Sequence, residues 1–296
     1  MKVLKRLLGH KSARAGGILL VGILAMAILA PWISPEGYNR QVLGDRLQEP
    51  SSEHIMGTDQ FGRELKSRIV WGARISLRVG VMAMAISLSF GTVLGLVAGF
   101  YGGSVERVIM GFVDVLLAFP GILLAIFIVA VLGPGLNNAM IAVGIAGVPQ
   151  FARLVRGSTL SVRETEYIEA QHALGSPDFR IVSRHIMPNI IAPIVVLATL
   201  NIGTAILAAA GLGFLGLGAE PPVPEWGAMI SQGRQHLRSA WWVGVFPGMA
   251  ILVTVLGFNL LGDGLRDALD PRVRIGGAQP GKGRPVAPVK TETPAG

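Results

Sequence analysis

The sequence predicts an all-α membrane protein with six transmembrane helices, on three observations. Hydrophobic residues make up 51% of the 296 residues and charged ones 15%, with a mean hydropathy of +0.56. That is a membrane composition rather than that of a soluble core. Charge-free runs long enough to cross a bilayer recur, from Ala15 to Pro35 and again from Ile186 to Ala219. The segments between apolar runs are mostly short, and the net charge is +8. Cytoplasmic loops and contact with anionic lipid account for that charge more simply than nucleic acid or an acidic substrate. There is no cysteine, which excludes disulfides and thiolate metal or redox sites.

Residues 1–14 carry Lys2, Lys5, Arg6, Lys11 and Arg14 ahead of the first apolar run. The run is too long for a signal peptide, and Pro31-Trp32-Ile33 offers no small-residue cleavage site. It reads as a first span with an aromatic at its far interface. Residues 34–78 form the longest polar segment. In it Phe61, Leu65 and Ile69 recur every four residues, a pattern that predicts a helix lying in the interface. The second span covers about 79–101. Its Gly91, Gly95 and Gly99, continued by Gly103, form a stripe that lets another helix approach backbone to backbone. Glu106 and Arg107 mark a turn. A hairpin of two spans follows, about 108–132 and 138–156, joined at Gly133-Pro134-Gly135. The run 186–219 holds the fifth span and about 241–262 the sixth.

Between the fourth and fifth spans lies a polar island, Ser161–Asn189. Ser161 and Glu164 fit a capping box that would start a helix at Val162. Glu164, Glu166 and Glu169 favour the positive end of its dipole. Gly175 suits the left-handed residue that ends such a helix. Ser176-Pro177 reads as the cap and first residue of a second short helix running to Pro188. The predicted shape is a rigid elbow between two spans. Lys and Arg are more numerous on the side of the island and the two termini, which places that side in the cytoplasm.

Several motifs mislead. Gly276-Gly277-Ala278-Gln279-Pro280-Gly281-Lys282 opens like a P-loop but continues with Gly283, with no strand before it and Pro285 after it. Gly211, Gly213 and Gly216 fit a dinucleotide fingerprint without a βαβ setting. The island has the outline of a helix-turn-helix, yet both ends are tethered to spans, so no nucleic acid is expected. No Ser/His/Asp set or metal-ligand cluster is present. Asp114 is a lone carboxylate in the third span. It reads either as a polar contact at a helix interface or pathway, or as a group near enough the cytoplasmic surface to be hydrated or paired with Arg107. Asn201 and Thr204, polar within the fifth span, are further pathway or interface candidates.

Glu169-Ala170-Gln171, Gly175 and Met187-Pro188 carry a resemblance to the permease subunits of bacterial ABC importers, whose cytoplasmic loop has Glu-Ala-Ala, a Gly four residues on and a Leu-Pro. Gln171 and Met187 depart from that pattern. His185-Ile186-Met187-Pro188-Asn189, Gly57-Thr58-Asp59-Gln60-Phe61-Gly62-Arg63 and Asn259–Arg272 resemble the dipeptide and oligopeptide branch. The resemblance spans about 10–275. It implies the type I importer permease fold; with the spans read above this gives a cytoplasmic segment 1–14, a six-span domain 15–275 and a cytoplasmic tail 276–296 whose Gly-, Pro- and Lys-rich composition predicts disorder. It implies a bacterial inner-membrane location and three kinds of partner besides lipid: a second permease, two ATPase subunits and an external binding protein. ATP and magnesium then belong to the ATPases, and this chain holds no cofactor and catalyses no reaction. Within the loop 157–188, Tyr167, Glu169, Ala170, Gly175, Ser176, Pro177, His185 and Pro188 would form the ATPase-coupling element. The rival is a stand-alone secondary transporter or channel with Asp114 as its ion or proton site. Importers of nickel, glutathione and sugars use similar permeases, so the substrate stays open.

Overall fold

The computed structural model describes residues 9–269. The tail 276–296, with its P-loop lookalike, lies outside them, as does the start of segment 1–14. The described chain is helical, with a single isolated bridge between Thr58 and Glu64. The main helices are α1 (Lys11–Ile28), α2 (Leu65–Tyr101), α3 (Gly103–Leu117), α4 (Gly121–Leu132), α5 (Leu136–Arg163), α6 (Glu166–Ala173), α7 (Asp178–Phe214), α8 (Trp226–Gly233) and α9 (Trp242–Leu269). Five of them, α1, α2, α5, α7 and α9, are long and apolar enough to cross a membrane, and α3 with α4 makes a sixth if that bent pair is one span.

The third span departs most from the sequence reading. It is not one arm of a straight hairpin, because α3 and α4 meet at 94°. The corner falls at Ala118-Phe119-Pro120, where Pro120 has no N–H to continue the ladder and disfavours helix at the residue before it. The turn before it also moves. The break lies at Gly102 and Gly103, both at positive φ, and Glu106 and Arg107 sit inside the first turns of α3. The interface helix around Phe61 does not form separately. Leu65 and Ile69 are buried in α2, whose 37 residues extend well beyond the hydrocarbon, while Phe61 stays in the preceding loop. The periodicity was that of a core-facing helix, which period alone cannot separate from an interfacial one.

Helix α2 packs most extensively on α5. Gly91, Gly95 and Gly99 face it: a Cβ on Gly95 would sit 2.6 Å from the Ala152 carbonyl oxygen, and one on Gly99 2.8 Å from the Thr159 Cβ. Gly103 faces open space and takes no part. A second close pair, α1 on α9, brings Gly16 against the backbone of Gly257 and Leu261. Helix α7 lies between these pairs, touching α2, α5 and α9.

At the end of the bundle remote from the elbow, loop 34–64 and α8 form a sealed cap. Trp226 and Trp242 are fully buried, and their indole N–H groups donate to the Ile69 and Thr58 carbonyls at 3.2 and 3.1 Å. Asp59 holds buried Arg63 at 2.6 Å, and Arg68 donates to the Pro222 carbonyl at 3.2 Å. Glu225 caps α8, accepting from the Gly227 and Ala228 N–H groups at 2.8 Å each. Burial pushes its carboxyl pKa up, and those two hydrogen bonds work against the rise.

Candidate functional site

The polar island folds as an elbow, with boundaries that differ from the sequence reading. Ser161 does not cap a helix. It lies inside α5, which runs on to Arg163, and the break comes at Glu164-Thr165. The Thr165 hydroxyl bonds back to the Val162 carbonyl at 2.7 Å, so the capping-box spacing was present without its geometry. Helix α6 then spans Glu166–Ala173 and ends in a Schellman motif. Gly175 N–H donates to the His172 carbonyl at 2.9 Å and Ser176 N–H to the Gln171 carbonyl at 3.1 Å. Gly175 sits at φ +72°, in the left-handed region.

Ser176 is not the next cap either. Its hydroxyl turns back to the Gln171 side chain at 3.1 Å, Pro177 occupies the cap position, and Asp178 begins α7. The second short helix does not stop at Pro188. It passes through a π-helical stretch, Val182–Ile186, into the fifth span. Pro188 lacks the N–H that the Arg184 carbonyl would need, and the widened turn accommodates its ring. The Asn189 side-chain amide donates to the neighbouring His185 carbonyl at 2.6 Å in the same turn.

Underneath, Ile168, Ile181 and Ile186 are completely buried and join Phe100, Val155, Ile190 and Ile194 in one apolar cluster. The short helix is thereby fastened to α2, α5 and α7 together. Sequence reasoning singled out the polar residues and missed these anchors, although the near-helical recurrence of isoleucine across the turn was there to read. The Tyr167 hydroxyl contacts His185 Nδ1, and the two rings meet edge-on with centroids 5.2 Å apart. The far face presents Glu169, Ala170 and two bare apolar side chains, Leu174 at 78% and Phe179 at 84% exposure. Leaving two large side chains so exposed at a polar tip is unfavourable unless a partner covers them. A cleft of about 550 Å³ runs beside the elbow, bordered by Glu106, Arg163, Glu164, Glu169 and His172.

Asp114 pairs with Arg153 at 2.6 Å rather than with Arg107, both side chains being more than half exposed. Arg156, one turn further along the same face of α5, holds Glu106 at 2.7 Å. The three-residue spacing of the two arginines is the signal that could have indicated this pairing. Asn201 is buried in α7 and donates to the Gln150 side-chain carbonyl at 3.0 Å, while the Thr204 hydroxyl is bonded to the Asn201 backbone carbonyl at 3.0 Å.

Residues 91–275 match the family of binding-protein-dependent transport system inner membrane components, and residues 2–50 match the N-terminal membrane domain of oligopeptide transport permease C. The chain is 53% identical over 270 residues to a dipeptide transport system permease protein of Alkalihalophilus pseudofirmus, covering 91% of this chain and 89% of that one. It is 48% identical over 271 residues to a glutathione transport system permease protein of Pectobacterium atrosepticum, covering 91% and 90%. An inward-facing structure of the MetNI methionine ABC transporter superposes with a TM-score of 0.56 at 21% identity, covering 69% of this chain and 97% of that one, a likeness of fold. A match over most of the helical domain and two close full-length relatives leave one assignment: the chain belongs to the family of inner-membrane components of binding-protein-dependent transport systems.

Proposed function

We propose that the chain is half of the translocation pathway of an ATP-driven peptide importer and receives force through the elbow. The observation that carries this reading is the two-sided build of α6. Ile168 and its partners fasten it inward to three long helices, while Glu169 on α6, and Leu174 and Phe179 just beyond its end, face outward and are exposed. An ATPase subunit supplies the missing cover, with apolar contact for Leu174 and Phe179 and a basic or amide group for Glu169. Closure of two ATPases on ATP then moves α6, and α5 and α7 follow as one body. Magnesium and ATP belong to those subunits, and this chain carries no catalytic step. The elbow and both termini face the cytoplasm, which suits the basic residues flanking the spans. The cap of loop 34–64 and α8 faces the external binding protein, and a second permease completes the path. Peptides as cargo follow from the relatives' dipeptide and glutathione systems.

The test is reconstitution of the whole complex with its ATPases, second permease and binding protein in liposomes, with uptake of tritiated dialanine as the readout. Uptake is expected only with ATP and binding protein together. Gradient-driven uptake by this chain alone would instead support the stand-alone transporter reading centred on Asp114.

A further inference from the structure

Two amide side chains, Gln150 of α5 and Asn201 of α7, meet across the contact of these two membrane helices, away from the elbow. Gln150 lies fourteen residues after Leu136 and thirteen before Arg163 in α5. Asn201 lies fourteen after Met187 and thirteen before Phe214 in α7. At 1.5 Å per residue each is about 20 Å from both ends of its regular α-helical stretch, which in α7 is the part after the π-helical turn, and so close to the middle of the bilayer. The pair borders a cleft of about 180 Å³ between α4, α5 and α7, kept open by small residues such as Ala146, Gly147, Ala205 and Ala208. Thr204 stands on its rim, and no charged side chain borders it.

Gln150 is exposed on the described chain. An amide facing hydrocarbon finds no partner, so this side chain points to water or to protein rather than to lipid. The bond from Asn201 to Gln150 uses one donor hydrogen and one acceptor lone pair. What remains includes the wholly free Asn201 carbonyl as acceptor and the wholly free Gln150 amino group as donor, besides the second hydrogen of Asn201 and the second lone pair of Gln150. Turning both amides over leaves the same pattern of one acceptor beside one donor. That is the complement of a single peptide group, whose N–H donates and whose C=O accepts. Neutral groups also hold a passing solute weakly enough to release it, where a buried charge would trap a zwitterion.

We propose that Gln150 and Asn201 are a mid-membrane contact for the peptide group of the solute, in this subunit's wall of the path. This rests on the peptide-importer reading given above. The test uses the assembled complex in liposomes with Gln150→Leu, Asn201→Leu and the exchanged pair Gln150→Asn with Asn201→Gln. Uptake of tritiated dialanine should fall at least fivefold in either leucine variant. ATP hydrolysis stimulated by loaded binding protein should stay within twofold of wild type, so that fewer peptides enter per ATP, and the exchanged pair should recover most of the uptake. Unchanged uptake in both leucine variants overturns the proposal. So does loss of the second permease on co-purification, which would make the pair an intersubunit contact, and so does an equal fall in uptake and hydrolysis without recovery in the exchanged pair. A wild-type complex that imports no dialanine overturns the peptide reading and this proposal together. Uptake by wild type and leucine variants alike overturns this proposal alone.

Discussion

Tyr167 and His185 are eighteen residues apart in sequence, yet hydroxyl meets imidazole across the elbow and the two rings stand edge to face at 76°. The contact ties the short helix α6 to the π-helical start of α7, so it bears on how firmly a push on one is felt by the other. Removing one such bond is worth about 0.5–1.5 kcal/mol, up to about tenfold in an equilibrium. Tyr167→Phe and His185→Ala should each leave assembly intact and lower the peptide taken up per ATP hydrolysed by a few-fold. Equal transport stoichiometry in both variants would show that the contact does not stiffen the elbow.

Gly175 separates backbone strain from crowding, because a Cβ there would meet nothing within 4 Å. Its φ of +72° alone costs a β-branched residue roughly 1–2 kcal/mol, whereas asparagine tolerates the left-handed region. Gly175→Val should abolish stimulated hydrolysis and uptake at normal membrane levels, and Gly175→Asn should retain most of both. The comparison is read from uptake rates of the two variants in the same liposome preparation, and equal loss in both would point away from φ.

Helix α2 against α5 offers a stability test. Gly95→Ala places its methyl 2.6 Å from the Ala152 carbonyl oxygen, so the helices must part, and the melting temperature in detergent should drop by several degrees. Gly17 in α1 faces open space, and Gly17→Ala should hold or raise it, since alanine is the better helix former by about 1 kcal/mol. A Gly95→Ala protein as stable as wild type would mean that the stripe is not a packing seam.

The cap of loop 34–64 should be sensitive to pH. The hydrogen bond from His54 to Glu64 raises the imidazole pKa above 6.5, with smaller help from the charges of Glu64, Asp45 and Glu53, against desolvation. A raised folded-state pKa stabilises the fold fully below the unfolded value and loses that contribution as pH climbs through the folded one. Stability at pH 6 should therefore exceed that at pH 8.5, and Glu64→Gln should shrink the difference. Thermal melts of the two proteins across that range decide it.

Sidedness can be read with single cysteines, since the chain has none of its own. Ser52→Cys and Ser239→Cys should react with an impermeant thiol reagent in spheroplasts, and Ser176→Cys only after lysis. Labelling of Ser176→Cys alone in sealed cells would invert the assignment.

The apolar runs and the spacing of the glycines made the helical membrane class legible, because composition and period report burial directly. Gly175 was legible for the same kind of reason: few residues besides glycine suit that turn. What could not be read were the joints. Thr165 rather than Ser161 precedes α6, since two hydroxyl residues four apart compete for one role and only the course of α5 decides between them. The corner at Pro120 and the π-helical stretch before Pro188 depend on what the neighbouring helices leave room for. At the site, Gln150 escaped notice because a single amide in an apolar helix gains meaning only when the fold sets Asn201 beside it.

Because α7 begins at the elbow and runs unbroken to Phe214, its 37 residues measure about 55 Å from tip to tip. A rotation of 10° about its midpoint carries each end about 5 Å, in opposite directions, which is close to one helical turn. Asn201 lies a few residues beyond that pivot and would travel only about 1 Å, staying in place for a passing molecule while the two mouths swing past it. A continuous helix of this length turns a small stroke at Phe179 into alternating widths at the two membrane faces.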